Sequence, residues 1–325
     1  MIFRFIARML LATALPLAAM TAQAQAFPNK PIRVVLPFSA GSGPDTVVRT
    51  IGEKMTNAGK GQLVVDNKPG ANGWLAMDAG KRSAADGYSV LLVDNALMSL
   101  HQHIYKKMPY DSAKDFEPVT PLYSTYFFVV VPANSPYKSA GDLVAAARAK
   151  PGRMTYGTWG IGSVAHVGAA MLEASSGTQM SHVPFKEIAQ LYTAVATGDV
   201  EWAFGSAASV APLYRAGKVK LLAVAGPKRH PSYADVPTLA ESGGPADVQV
   251  RAWVALMAPA GAPKPAVDYV NTAVTQALGD AELRNKLAGF GFEPWTGTPA
   301  DVAKAMEQDS AMYARVVQRA KISLD

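Results

Sequence analysis

Twice in this chain a short run of β-branched and apolar residues stops at a glycine-rich turn and gives way at once to a segment of helical spacing. The first instance is "IRVVLPFSAGSGPDTVV", residues 32–48, and the second is "MTYGTWGIGSVAHVGAAM", residues 154–171. Short apolar runs ended by turn residues read as buried parallel strands, and apolar residues at intervals of three and four read as helices. Strand, turn and helix in repetition is the rhythm of a doubly wound α/β layer. Around the first turn the series adds strands at 61–67 and 88–95 and helices at 45–55 and 72–82. Around the second it adds strands at 200–205 and 219–225, helices at 163–174 and 187–197, and a helix "DLVAAARA" introduced by Ser139 and Asp142 at capping-box spacing.

Two longer apolar stretches, 126–133 and 248–258, separate the series, and helices are expected from 264 onward at 264–278, 281–289 and about 299–320. The expected fold is α/β, with two lobes that are each a mostly parallel sheet flanked by helices, joined by two crossing strands. Lobe 1 would comprise 27–125 plus 251–325, and lobe 2 would comprise 126–250. A single large sheet is the competing arrangement, and it leaves the doubled series unexplained.

The first 26 residues carry Arg4 and Arg8, an apolar stretch from Met9 to Met20, and small residues at alternate positions up to Ala26. This is the pattern of a secretory signal peptide cleaved near Ala26. A membrane anchor is the other reading, but the apolar core falls short of the ~20 residues that a spanning helix needs. The chain has no cysteine, so an exported protein of this sequence relies on its core rather than on disulfides. It also lacks the thiol that lipid attachment at the N-terminus requires. Periplasmic localisation is the expectation. The formal charge of +6 falls to +4 without the two signal arginines, and its cations are spread along the chain, which speaks against nucleic acid as a partner.

Each glycine turn opens a helix beyond the C-terminal end of a strand, where backbone N–H groups and the helix dipole together suit an anion. In the first, Gly41 and Gly43 are expected to allow positive φ and close backbone approach. N–H groups around 40–43 would point outward, Ser39 and Ser42 would add hydroxyl donors, and Asp45 would cap or orient the turn. Phosphate chemistry fails on the residues: Pro44-Asp45 follows Gly43 where a P-loop has Lys-Ser/Thr, and Thr46 stands where a dinucleotide fingerprint has its third glycine or alanine. In the second turn Gly157, Gly160 and Gly162 precede Ser163, Trp159 offers either a flat ligand-facing surface or structural packing, and His166 is a polar candidate. No G-x-S-x-G nucleophile turn is present. An exported hydrolase or isomerase using Ser163 and His166 is the catalytic alternative. His101 and His103, in "HQH", lack a further ligand at metal spacing, so no metal and no cofactor are expected.

These residues together resemble the periplasmic substrate-binding proteins of tripartite tricarboxylate transporters, also called Bug proteins. The resemblance runs over 27–325. It rests on "FPNKPIRVVLPFSAGSGPD", "VVDNKPGANG", "AADGYSVLLVDN", "IYKKMPYDSAKDFEPVT", "AKPGRMTYGTWGIGSVAH", "HVPFKEIAQ" and "DVPTLAESG". It implies a two-lobed clamshell of the periplasmic binding protein type II class, which is a receptor and not an enzyme. It also implies a monomeric protein whose partners are a small carboxylate and the membrane components of a tripartite transporter or a sensor. The family's ligand loops fall on Phe38, Ser39, Ala40, Gly41, Ser42, Gly43 and Asp45, and on Thr158, Trp159, Gly160, Gly162, Ser163 and His166. A third pocket segment, which usually carries an Asp-Asn pair, has Gly205 and Ser206 here. Loss of an acid at 205, with Trp159 opposite, implies room for a carboxylate with an aromatic or otherwise apolar body.

Overall fold

A computed structural model describes residues 27–324; the expected signal peptide lies outside the described residues. Two separate sheets organise the chain. The first holds β1 (Ile32–Leu36), β2 (Leu63–Asn67), β3 (Ser89–Asp94), β4 (Phe116–Tyr126), β10 (Arg251–Pro259) and β11 (Glu293–Pro294), in the order β11-β4-β10-β3-β1-β2. The second holds β5 (Phe128–Pro132), β6 (Thr155–Thr158), β7 (Ser181–Pro184), β8 (Trp202–Gly205) and β9 (Val219–Val224), in the order β7-β6-β8-β5-β9.

Both sheets are mixed rather than mostly parallel. Parallel pairing holds where the βα series runs, between β1 and its neighbours β2 and β3 and between β6 and its neighbours β7 and β8. The antiparallel pairs involve β4, β5 and β10, the strands next to the points where the chain changes sheet. A chain that passes from one sheet into another and returns enters without a crossover helix, so its strands run against their neighbours.

The passage itself is narrow. Between β4 and β5 only Phe127 intervenes; its N–H donates to Val250 O at 3.0 Å and its carbonyl accepts the Ala225 N–H at 2.7 Å, while Val250 N–H donates to Ala225 O at 2.9 Å. Polar backbone in the crossing is thereby paired although Phe127 and Val250 are buried.

Helices cover the sheets as the spacing predicts. In the first lobe α1 (Gly43–Asn57) buries Val47, Val48, Ile51 and Met55 in one cluster with Ile32, Val34 and Leu36, and α2 (Trp74–Lys81) buries Ala76 and Met77 on the opposite face. A π-helical turn, Ala96–Leu100, runs into α3 (His101–Ile104). In the second lobe α4 (Ala140–Ala149) starts with the expected capping box: Asp142 N–H donates to Ser139 Oγ at 3.0 Å and Ser139 N–H to Asp142 Oδ2 at 3.1 Å. There follow α5 (Val164–Ser176), α6 (Ile188–Thr197) and α7 (Ala207–Arg215). The chain ends in α8 (Lys264–Leu278), α9 (Ala281–Gly289) and α10 (Pro299–Ala320). The last helix serves both lobes. Val302 and Ala305 pack on the first sheet, whereas Tyr313 and Val317 meet Val167 of α5, and Arg319 Nη2 donates to Ala174 O at 2.9 Å.

Candidate functional site

The two glycine turns share one local design. Each follows a strand with parallel neighbours, β1 or β6, and each carries a left-handed glycine just before a serine N-cap: Gly41 at φ +77° before Ser42, and Gly162 at φ +76° before Ser163. The serine N–H closes a turn onto the carbonyl three residues back, Ser42 to Ser39 O at 3.2 Å and Ser163 to Gly160 O at 3.3 Å. Its hydroxyl accepts from the N–H three residues on, that of Asp45 at 3.5 Å or of His166 at 3.2 Å. The side chain of that third residue reaches back to the glycine: Gly41 N–H donates to Asp45 Oδ2 at 2.8 Å, and Gly162 N–H donates to His166 Nδ1 at 3.1 Å. The pattern Gly-Ser-x-x-acceptor thus staples both loops.

This arrangement changes two expectations. The Gly41 and Ser42 N–H groups are consumed inside the loop; among the described residues those of Ser39, Ala40 and Gly43, and of Trp159 and Ile161, have no hydrogen-bond partner. Gly43 is not left-handed but is the first helical residue, where a Cβ would sit 3.2 Å from the Phe292 ring. Its bare Cα suits the close approach of that ring, and no left-handed φ calls for it.

Asp45 is 2% exposed and holds its loop from below. It accepts Asn67 Nδ2 at 2.9 Å and Arg49 Nε at 3.0 Å besides Gly41, and Asn67 Nδ2 also donates to Phe38 O at 3.0 Å. Burial alone would raise its pKa, but the hydrogen bonds from Arg49, Asn67 and Gly41 outweigh it and hold the carboxyl below the usual carboxylate range. Sequence reading missed Asn67 and Arg49. The i,i+4 spacing of Asp45 and Arg49 was the available signal, whereas Asn67 arrives through the β1–β2 register, which aligns Leu36 with Asn67.

His166 sits in an aromatic column. Its ring stacks on His182 at 4.2 Å and 16°, and His182 stacks on Tyr156 at 5.0 Å and 21°. His182 Nε2 lies 2.7 Å from Thr158 Oγ1, which donates to Gly160 O at 3.0 Å and accepts the Gly160 N–H at 3.3 Å. Burial, with a smaller contribution from His182, pushes the His166 pKa down to about 4. His182 carried no sequence signal; the parallel register of β6 and β7, which pairs Tyr156 with His182, places it.

Ser206 is the third such cap. It opens α7 beyond β8, with Ser209 N–H donating to its Oγ at 3.3 Å. Here the lobes touch. A Cβ on Gly291 of the first lobe would collide with Ala207, and Gly291 O accepts from Thr125 Oγ1 and lies 3.1 Å from His230 Nε2. The adjoining Phe292 packs at Gly43, so the first loop and the Ser206 cap share a neighbouring segment. The second loop meets the first lobe elsewhere: a Cβ on Gly162 would strike Ile104. Beside Ile104, Tyr105 accepts a hydrogen bond from Asn72 Nδ2 at 2.6 Å, and Gly73 lies against Pro37 at the root of the first loop.

Gly205 does not leave open space. A Cβ there would lie 2.5 Å from Val210 and 3.0 Å from both Tyr192 and Val130, so lobe-2 core side chains occupy the volume an acid would need. Trp159 is half-buried and tilted on Phe127 at 5.4 Å, packing against both lobe-2 clusters. The Ser163 hydroxyl and the His166 ring make no hydrogen bond to one another. Ser163 Oγ donates to Gly160 O at 2.8 Å, and His166 Nδ1 is taken by Gly162. His101 and His103 diverge, the first accepting Trp74 Nε1 at 3.4 Å and the second lying 2.9 Å from Ser310 Oγ. No group of three His, Cys, Asp or Glu placed to hold a metal occurs among the described residues.

A cavity of about 220 Å³ lies at the crossing and adjoins the second loop at Val164, between Val164 and Gly168 of α5, Gln249–Arg251 and Asp309 of α10. Its charged groups satisfy one another, Arg251 Nη2 standing 3.4 Å from Asp309 Oδ1, and Trp253 Nε1 donates to Asp309 Oδ2 at 2.7 Å. Paired charge offers little to an anion, whereas unpaired N–H groups at capped helix ends do. The loops are therefore the stronger candidate.

Known proteins resemble this chain over most of its length. Residues 47–322 match the model of the tripartite tricarboxylate transporter family receptor. A UPF0065 protein of Cupriavidus necator is 34% identical over 297 residues, 90% of this chain and 89% of that protein. Among solved structures, an R. palustris protein with adipate superposes with a TM-score of 0.82 at 30% identity, covering 91% of this chain and 99% of the other. MatC of Rhodopseudomonas palustris, with bound malate, gives a TM-score of 0.78 at 28% identity over 90% and 100% of the two chains.

Proposed function

The chain belongs to the tripartite tricarboxylate transporter receptor family, and from that premise we propose that it is a periplasmic solute receptor that holds a small dicarboxylate between its two lobes. Export would follow the signal peptide of residues 1–26. No helix among the described residues is long and apolar enough to cross a membrane. The protein would work as a monomer that delivers its ligand to the membrane components of a tripartite transporter. The same capture could serve a sensor.

The observation that carries the reading is the duplicated loop, one copy in each lobe, each presenting unpaired N–H groups at a capped helix end beyond a strand. Two such cradles suit a ligand with an anionic group at each end. Ser39, Ala40 and Gly43, with the Ser206 cap nearby, would serve one carboxylate and Trp159 and Ile161 the other. Two structural relatives were solved with adipate and with malate. The filled space at Gly205 removes one argument for a bulky ligand, but Phe38 and Trp159 still favour an apolar body. An adipate-like chain fits that better than a short hydroxy diacid.

Isothermal titration of the mature protein with adipate, malate and benzoate tests the proposal. Binding of adipate more tightly than malate is expected. Preferred binding of benzoate would restore the aromatic alternative, and no binding of any carboxylate would overturn the receptor reading.

A further inference from the structure

The two staples are alike in geometry and unlike in chemistry. In the first loop the acceptor for the left-handed glycine is a carboxylate with two other donors arranged around it, Asn67 and Arg49. In the second it is one imidazole nitrogen. An imidazole accepts only at a nitrogen that carries no proton, so the contact with Gly162 requires the neutral ring with its hydrogen on Nε2. We propose that His166 is a positioning residue whose neutral imidazole fixes the second loop through Gly162, as Asp45 fixes the first through Gly41, and that acid therefore releases the second loop alone.

The surroundings support this division. Protonation would put a second N–H against the Gly162 N–H, and the added charge would lie 4.2 Å from the His182 ring. His182 is the ionisable group that acts on His166 electrostatically, and it too is held towards its neutral form by burial. Tyr156 of β6 lies behind His182, and Glu173, further along α5, spends its carboxylate on Met180 N–H. From α10, Arg319 is committed to Ala174 O and Asp309 to Trp253 and Arg251. None of these charges is aimed at His166 to hold an imidazolium in place. Asp45, by contrast, is held ionised by its donors.

The proposal rests on the receptor reading for its consequence in binding but not for its geometry, and the test separates the two. In ligand-free protein at pH 7, long-range proton–nitrogen spectra of His166 are expected to show the Nε2–H tautomer. Exchange of the Gly162 amide is expected to be slow in the wild type and in His166→Asn, whose side-chain oxygen can replace Nδ1, and at least about tenfold faster in His166→Ala. With adipate and malate as probes, His166→Ala should lose roughly tenfold to hundredfold in affinity, equivalent to one lost hydrogen bond of ordinary to charged strength. His166→Asn should return to within about threefold. The ratio of wild-type to His166→Asn affinity should stay flat near neutral pH and fall on acidification, a comparison in which protonation of the ligand cancels.

A proton on His166 Nδ1 at pH 7, or equal Gly162 exchange in wild type and His166→Ala, would overturn the positioning role. A flat affinity ratio down to pH 4 would overturn the acid release. Failure of both probes to bind wild type would instead defeat the receptor reading, while the tautomer and exchange measurements would still decide this one.

Discussion

At the scale of single residues, the site depends on side chains that turn inward to hold backbone in place. Asp45 is the clearest case, since its two oxygens accept from Gly41, Asn67 and Arg49. Asp45→Ala removes from a buried position the charged acceptor shared by Gly41, Asn67 and Arg49 and should cost about 1–3 kcal/mol, read as a lower urea midpoint together with weaker adipate binding. Retention of both would show that the loop holds its shape without the carboxylate. Gly205→Asp is a second case: because Val210, Tyr192 and Val130 fill the space, the acid would overpack the core and bury an unpaired charge. It should destabilise the protein by at least about 2 kcal/mol, measured by denaturant unfolding, rather than add a polar contact to the ligand. The glycine loops were legible because glycine, serine and a helical start are local signals. What fills the space around Gly205 was not, because Tyr192, Val210 and Val130 come from three elements far apart in sequence.

At the scale of elements, strands and helices with strong periodicity emerged where the pattern placed them: α8 at Lys264–Leu278 and α9 at Ala281–Gly289 match the expected 264–278 and 281–289. The segments that periodicity did not mark are short or interrupted. α7 carries Pro212 in its interior and begins at a serine cap that had been read only as a pocket residue; β7 is four residues long and half-buried. Strand direction was illegible for a different reason, since an apolar run has the same pattern whether its neighbours are parallel or antiparallel. The C-terminal helix also owes its place to a contact that its own sequence does not announce. Asp309 on α10 accepts Trp253 Nε1 and Asn95 Nδ2 and pairs with Arg251. Asp309→Ala leaves the buried Trp253 Nε1 without its acceptor and Arg251 without its partner, and should cost about 1–3 kcal/mol, visible as a lower thermal midpoint; a change under about 0.5 kcal/mol would mean that α10 is held by its apolar side alone.

Across the whole molecule, acid is expected to be the weak direction. His166 and His101 both act as acceptors through Nδ1, towards Gly162 N–H and Trp74 Nε1, and burial brings both from the ordinary 6.5 to about 4. Between those values the unfolded chain binds protons that the folded one refuses, so stability falls as pH drops through the window from 6.5 to 4 and is fully retained above it. Urea unfolding at pH 7.5, 5.5 and 4.5 should show a midpoint that falls at each step. A midpoint unchanged at pH 4.5 would exclude the buried histidines as the cause.

The path of α10 has a mechanical consequence. Two crossing backbones make a thin ribbon, and a ribbon resists stretching yet yields to both bending and torsion. A helix of 22 residues, roughly 33 Å long at 1.5 Å per residue, is anchored on the first sheet at one end and on α5 at the other. It acts as a stay laid beside that ribbon. Torsion would drag its far end across α5, whereas rotation about an axis through Val167 and Tyr313 would leave its contacts nearly in register. The lobes are thereby expected to turn about one easy axis instead of two.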